Sequence, residues 1–150
     1  MNHSVAPTIA GVLKASVLYF AMVFGGGFLL GAVRVPFLVP RLGVRAAELI
    51  EMPLMLLVVI ASARFVVKRF DLSSSAGKSL CVGLCALALL ICAELSLALA
   101  IQVQSLAGYI AGRDPVSGSV YILLLCLFAA MPSIIARRAA LRLRSLRAGT

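Results

Sequence analysis

The chain has 150 residues, of which 63% are hydrophobic and 13% are charged, and its mean hydropathy is +1.12. A water-soluble domain of this length needs more polar side chains on its surface, so the composition excludes that class and predicts one integral membrane domain spanning residues 1–150. The net charge of +9 would indicate nucleic-acid binding in a soluble protein, but membrane topology accounts for it here and no nucleic-acid partner is expected.

Four apolar segments each approach the ~20 residues that a helix needs to cross a bilayer. They cover about residues 14–33, 46–67, 80–101 and 116–136. The sequence therefore predicts an all-α, four-helix transmembrane bundle.

The Lys and Arg residues are distributed unevenly between the two sides of such a bundle. Positively charged residues collect on the cytoplasmic side of membrane proteins. Four crossings place both termini and the middle loop on the side with more of them, which predicts cytoplasmic termini in a bacterial inner membrane, and contact between the basic C-terminal tail and anionic lipid. That side holds Lys14, Arg64, Lys68, Arg69, Lys78, Arg137, Arg138, Arg142, Arg144 and Arg147; the periplasmic side holds Arg34, Arg41, Arg45 and Arg113.

The first helix contains the stretch "GGGFLLG", in which Gly27 and Gly31 have the GxxxG spacing. Glycines at this spacing let a second helix approach closely. We expect this face to pack inside the bundle or against another protomer, which would allow a homo-oligomer or a larger membrane complex.

Prolines indicate where the predicted helices begin, end or bend. The stretch "RVPFLVPRLG" after the first helix has two prolines and a glycine, which predicts an extended or turn-like connection and not a helix. Pro53 and Pro132 are expected to bend the second and fourth helices. In "RDPVSG", Asp114 is the expected N-cap of the fourth helix and Pro115 its first residue.

Carboxylates inside apolar segments are the sharpest functional signal. Glu48 and Glu51 lie about 60° apart on a helix, and Glu51 and Glu94 are expected at comparable depth, roughly 7 Å and 12 Å from the periplasmic ends of their helices. An ionised group near the middle of a membrane costs about 2.5–3.5 kcal/mol, so such groups face the interior and find partners. The candidate partners are Arg34, Arg41, Arg45 and Arg113.

Three classes of function stay open. The first is transport of a small ion or solute, or proton-coupled transport, through this periplasm-facing Glu/Arg cluster. The second is an accessory or scaffolding subunit, in which the charges form buried pairs that fix helix register. A small membrane enzyme is the least favoured, because the chain offers no Ser/His/Asp set or Cys/His pair. The surroundings of Glu51 and Glu94 distinguish the first two classes. In a transporter the two glutamates would face each other across a cavity, and in a scaffolding subunit each would be closed off by an arginine.

No cofactor or metal is expected. The one histidine is His3, so a haem held by two histidines is excluded. The four cysteines all lie in apolar runs, and we interpret them as small buried residues and not as metal ligands. They are Cys81, Cys85, Cys92 and Cys126.

The stretches "GGGFLLGAVRV", "PRLGVRAAELIEMPLM", "SARFVV" and "GRDPVSGSVY" are distributed over residues 25–121, which is most of the chain. Together they resemble a group of short four-helix bacterial inner-membrane proteins without an assigned function, and the resemblance implies the fold and location but no activity. The glycine-rich first helix followed by Arg34 is also similar to small fluoride channels, whose first-helix asparagine is absent here. The second helix lacks the His and Asn of membrane glutathione transferases.

Overall fold

The computed structural model describes residues 9–72, 75–100 and 115–148, and these residues form helices and short turns without any strand. The elements are α1 (Ile9–Val33), a π-helical segment (Arg34–Leu38), α2 (Val39–Arg69), α3 (Ala76–Ala100) and α4 (Pro115–Ala148). The all-α prediction is confirmed for this part of the chain.

Three continuous helical runs in the described residues are long and apolar enough to cross a membrane: Ile9–Arg69, Gly77–Leu97 and Gly118–Arg142. Many large apolar side chains on these runs are exposed, among them Leu57 at 63% and Ile122 at 62%. Large exposed apolar surfaces are not stable in water, whereas lipid covers them. The prediction of transmembrane helices is therefore supported.

The prediction of four separate helices was wrong, because the first two predicted helices belong to one helical run. The connection between them, predicted to be extended, is helical. A proline inside an α-helix removes a donor, and its ring collides with the carbonyl four residues earlier. Pro36 lies in the π-helical segment, whose turn is wider than that of an α-helix and leaves room for the ring. Pro40 lies in the first turn of α2, where a backbone N–H would have no partner within the helix.

The long run folds back on itself at Gly43, which has φ 78° and ψ 164° inside an otherwise helical segment. A side chain makes this conformation strained, so glycine is required there. Gly26 packs on Val58, and Gly27 packs on Met55. Each contact joins residues placed almost symmetrically about the turn, so α1 and α2 form an antiparallel hairpin. We call residues 35–45 the hairpin tip.

Close packing in this hairpin uses a different pair of glycines from the pair predicted. A Cβ added to Gly26 would lie 2.7 Å from Cγ1 of Val58, whereas a Cβ on Gly31 would meet no described atom within 4 Å. Gly26 and Gly27 therefore allow α2 to approach, and Gly31 takes no part in this contact.

The two remaining helices complete a closed arrangement of four helical segments. Helices α1 and α4 each pack against both α2 and α3. Helices α2 and α3 follow one another in the sequence but lie diagonally across the bundle. The described part of α3 and α4 runs antiparallel, because Gly83 lies against Ala129 and Glu94 against Tyr121.

The bundle centre is built around Tyr19 and Phe128, which are 0% and 1% exposed. Their rings stack with centroids 4.6 Å apart and an interplanar angle of 12°. The hydroxyl of Tyr19 donates a hydrogen bond to the backbone carbonyl oxygen of Phe128 at 2.9 Å. This carbonyl lies four residues before Pro132, which has no N–H to offer it. Tyr19 thus replaces the helical donor that the proline lacks.

The turn from α2 to α3 is fixed by serines. Asp71 adopts a positive φ of 48° after the end of α2. The hydroxyl of Ser79 donates to the carbonyl oxygens of Leu72 at 2.9 Å and Ser75 at 3.1 Å. The same two carbonyls also accept backbone N–H bonds, from Ser75 at 3.3 Å and from Ser79 at 3.2 Å, so the Ser79 hydroxyl adds a further bond that ties the start of α3 to the turn.

The four cysteines were predicted to be buried, and this prediction was wrong. All four are free and exposed on the outside of the bundle. In lipid the outer face of a helix is as apolar as the core, so hydrophobic surroundings in the sequence do not identify the interior. Cys81, Cys85 and Cys92 share the outer face of α3.

Candidate functional site

Arg34 and two glutamates form an ion-pair cluster at the end of the α1–α2 hairpin. The Nε atom of Arg34 lies 2.8 Å from Oε2 of Glu51, and its Nη1 atom lies 3.3 Å from Oε1 of Glu48. The side chain of Arg34 is 25% exposed, that of Glu51 15% and that of Glu48 23%. We refer to these three residues as the Arg34 cluster.

The cluster depends on two features of the local structure. Glu48 and Glu51 are one helical turn apart, so their carboxylates project from neighbouring positions on α2. The fold-back at Gly43 then brings the end of α1 alongside them. Arg34 opens the π-helical segment, and it therefore joins the two arms of the hairpin just below the tip.

The Nε–H of Arg34 is not aimed at an acceptor, although Nε is close to Glu51. The short distance makes a close ion pair, and the unfavourable direction of the N–H removes the added strength of a directed hydrogen bond. The attraction in this cluster is mainly coulombic.

The charges of the cluster do not cancel when both carboxylates are ionised, since one guanidinium faces two of them. Removing one partner of a poorly solvated ion pair leaves the other charge uncompensated, and this is strongly unfavourable. The arrangement therefore suits a fixed structural clamp. Glu51 is thus closed off by an arginine, which is the second of the two arrangements that the sequence left open, the first being a cavity shared with Glu94.

Glu94 has a different kind of partner. The hydroxyl of Tyr121 on α4 donates a hydrogen bond to Oε2 of Glu94 on α3. Both residues are partly buried. Tyr121 was not among the candidates from the sequence, since its pairing with Glu94 depends on the register of α3 against α4. That register could be found only if the length and shape of the connection between these helices were known.

Arg34 and Tyr121, the partners of the glutamates, lie at different levels along the bundle. Tyr19 and Phe128 are at one level because they are in contact. Arg34 is fifteen residues from Tyr19 toward the hairpin tip, and Tyr121 is seven residues from Phe128 in the same direction. The difference of eight residues corresponds to roughly 12 Å along the bundle.

The other predicted arginines lie on the hairpin tip or outside the described residues. Arg41 is exposed on the hairpin tip, and Arg45 is exposed with an interaction of its own. Arg113 and Asp114 lie outside the described residues, although α4 does begin at Pro115 as predicted. Of the four candidate arginines, Arg34 is the one that forms ion pairs with Glu48 and Glu51 in the contacts described above.

A shallow apolar groove of about 390 Å³ runs along the outside of α1. Its lining includes Lys14 and Val17, near the end of α1 that is far from the Arg34 cluster. It therefore offers no path to the glutamates. Within the part of the chain that the structure describes, no three His, Cys, Asp or Glu side chains are grouped closely enough to hold a metal ion.

Comparisons with known proteins give no further assignment. No protein family matches the chain, and no curated protein or solved structure is significantly similar to it.

Proposed function

We propose that the protein is an accessory or scaffolding subunit of a membrane complex, and that the charges of the Arg34 cluster are structural. The observation that carries the proposal is that Arg34 holds both Glu48 and Glu51 across the hairpin. A transport site must release its ion or proton during the cycle, whereas a shared clamp between two arms of a hairpin holds its charges in place.

The topology belongs to the same proposal. The long run folds back, so the chain makes four passes and both termini lie on one side. Ten of the Lys and Arg residues lie toward that side and four toward the other, which supports cytoplasmic termini in a bacterial inner membrane. The basic end of α4 then meets the anionic lipid of the cytoplasmic leaflet.

The experiment that tests the scaffolding role uses the tagged full-length chain, purified from its native membrane in a mild detergent. We expect a complex of fixed stoichiometry, either with another membrane protein or with further copies of this chain. We expect Arg34→Gln to weaken the complex, and Arg142→Gln, an exposed substitution at the opposite end, to leave it intact. A chain that is monomeric under all conditions contradicts the proposal.

A second candidate function, proton or cation transport, is favoured by one observation. Glu94 lies well inside an apolar helix, where its carboxylate accepts a hydrogen bond from the neutral hydroxyl of Tyr121. A carboxyl group held by a neutral partner can exchange a proton without breaking an ion pair. If this group carries flux, Glu94→Gln abolishes proton movement in proteoliposomes, whereas Glu51→Gln reduces stability and spares the flux of the protein that folds. The absence of flux from the unaltered protein rejects this candidate.

A further inference from the structure

The hairpin tip exposes apolar side chains beyond the Arg34 cluster. Val35, Phe37, Leu42 and Val44 are 60%, 61%, 52% and 59% exposed. Arg41 is exposed among them. The position of this surface relative to the bilayer indicates what it binds.

The charged residues of the hairpin mark a length that matches the hydrocarbon layer. Lys14 and Arg34 are twenty residues apart on one arm, and Glu48 and Lys68 are twenty residues apart on the other. Twenty helical residues span roughly 30 Å, the thickness of the hydrocarbon core. The hairpin tip therefore lies just outside this core.

The tip does not reach far into water. Phe37 is three residues beyond Arg34, which is roughly 5 Å at helical rise, and the headgroup layer on each side is about 5–8 Å deep. Aromatic and apolar side chains next to arginine are typical of segments that lie in this layer. A guanidinium also matches the geometry of a phosphate group.

We propose that the hairpin tip binds the phospholipid headgroup layer, with Phe37 and Leu42 against the glycerol region and Arg41 on lipid phosphate. The apolar exposure of the tip and the positive charge of Arg41 suit this one partner. This binding does not depend on the accessory-subunit role, since it needs only the chain and a bilayer.

The chain has no tryptophan, so Phe37→Trp introduces a single fluorophore at an exposed position that needs no repacking. The full-length variant is placed in vesicles of phosphatidylcholine and phosphatidylglycerol whose acyl chains are brominated near the glycerol or near the methyl end. We expect stronger quenching by bromine near the glycerol. Leu57→Trp, exposed at mid-helix, is the reference and should show the opposite preference.

Strong quenching by aqueous acrylamide, with no quenching by either brominated lipid, places the tip in water and overturns the proposal. This result would also be obtained if the tip binds a partner protein that the vesicles lack. Leu42→Trp repeats the measurement at a second position in case one variant fails to fold.

The role of Arg41 is tested in the Phe37→Trp background. We expect Arg41→Gln to raise acrylamide quenching about twofold, because the tip loses its contact with phosphate. Arg138→Gln, an exposed change at the other end of the bundle, serves as the matched control and should have no effect. Equal quenching in both variants rejects the phosphate contact.

Discussion

The hydroxyl of Tyr19 donates a hydrogen bond at 2.9 Å to the carbonyl oxygen of Phe128, which is the carbonyl that Pro132 deprives of its helical donor. The bond lies at the centre of the bundle, where both side chains are buried. An unpaired carbonyl in an apolar interior is unfavourable, so this one hydroxyl compensates for a defect in another helix.

We therefore expect Tyr19→Phe to lower the free energy of unfolding by about 1 kcal/mol. The ring stacking on Phe128 is kept, so the loss reports the hydrogen bond. The measurement is a denaturation curve in detergent micelles. Repeating it in a Pro132→Ala background provides the control, because alanine restores the helical donor and Tyr19→Phe should then cost less. An equal loss in both backgrounds contradicts this account.

The Arg34 cluster predicts an order of coupling energies. Arg34 is closer to Glu51 than to Glu48, and Glu51 is the less exposed of the two glutamates. A double-mutant cycle of Arg34→Gln with Glu51→Gln should give a coupling of about 1–3 kcal/mol, and the cycle with Glu48→Gln a smaller one. Arg41→Gln, exposed on the tip, should change stability by less than about 0.5 kcal/mol. The reverse order of couplings would show that Glu48 is the main partner.

Gly83 permits a close approach between α3 and α4. A Cβ at this position would collide with the backbone carbonyl of Ala129. Because backbone atoms cannot move aside as a side chain can, Gly83→Ala should destabilise the protein by about 1–3 kcal/mol or prevent folding. Gly31→Ala is the matched control: it meets no described atom within 4 Å, so it should be neutral or stabilise α1 by up to about 1 kcal/mol. Thermal unfolding of the two variants side by side provides the comparison.

Gly43 tests the turn of the hairpin without any change in packing. No described atom lies within 4 Å of a Cβ at this position, but its φ is 78°. The cost of Gly43→Ala is therefore backbone strain alone, about 1–3 kcal/mol. We expect a lower unfolding temperature than for Gly31→Ala, with the same helix content by circular dichroism. An unchanged unfolding temperature would mean that the turn does not need glycine.

Labelling tests the proposed topology. In a background with the four cysteines replaced by alanine, Val44→Cys places a thiol on the hairpin tip and Ser75→Cys places one in the α2–α3 turn. A membrane-impermeant maleimide applied to intact spheroplasts should label the former and spare the latter until the cells are broken. The opposite pattern would invert the orientation. Labelling of both, or of neither, in intact cells would contradict the fold-back.

Several features were predictable because they depend on local chemistry. The apolar segments, the start of α4 at Pro115 and the membrane environment follow from composition and capping preferences. Pro132 also indicates, from the sequence alone, that the carbonyl of Phe128 lacks a donor. The identity of the donor, Tyr19, could not be predicted, because it depends on how two distant helices meet.

The partners of the glutamates show the same limit. Arg34 was one of four candidate arginines, and choosing it requires the register of the α1–α2 hairpin. That register is set by a turn at Gly43 inside a helical connection, whereas the prolines predicted a connection without helix. The exposed cysteines were missed for a different reason: lipid removes the contrast between apolar inside and polar outside on which burial predictions rest.

Because α2 and α3 lie diagonally across the bundle, the molecule consists of two hairpins, α1–α2 and α3–α4. The polar contacts described above are divided between these hairpins. The Arg34 cluster lies wholly in the first hairpin, the bond between Glu94 and Tyr121 lies wholly in the second, and the bond from Tyr19 to Phe128 joins them. Each hairpin can therefore form its own polar contact as it enters the membrane during synthesis. Among the described residues, the hydrogen bond from Tyr19 to Phe128 then links the second hairpin to the first at the centre of the bundle.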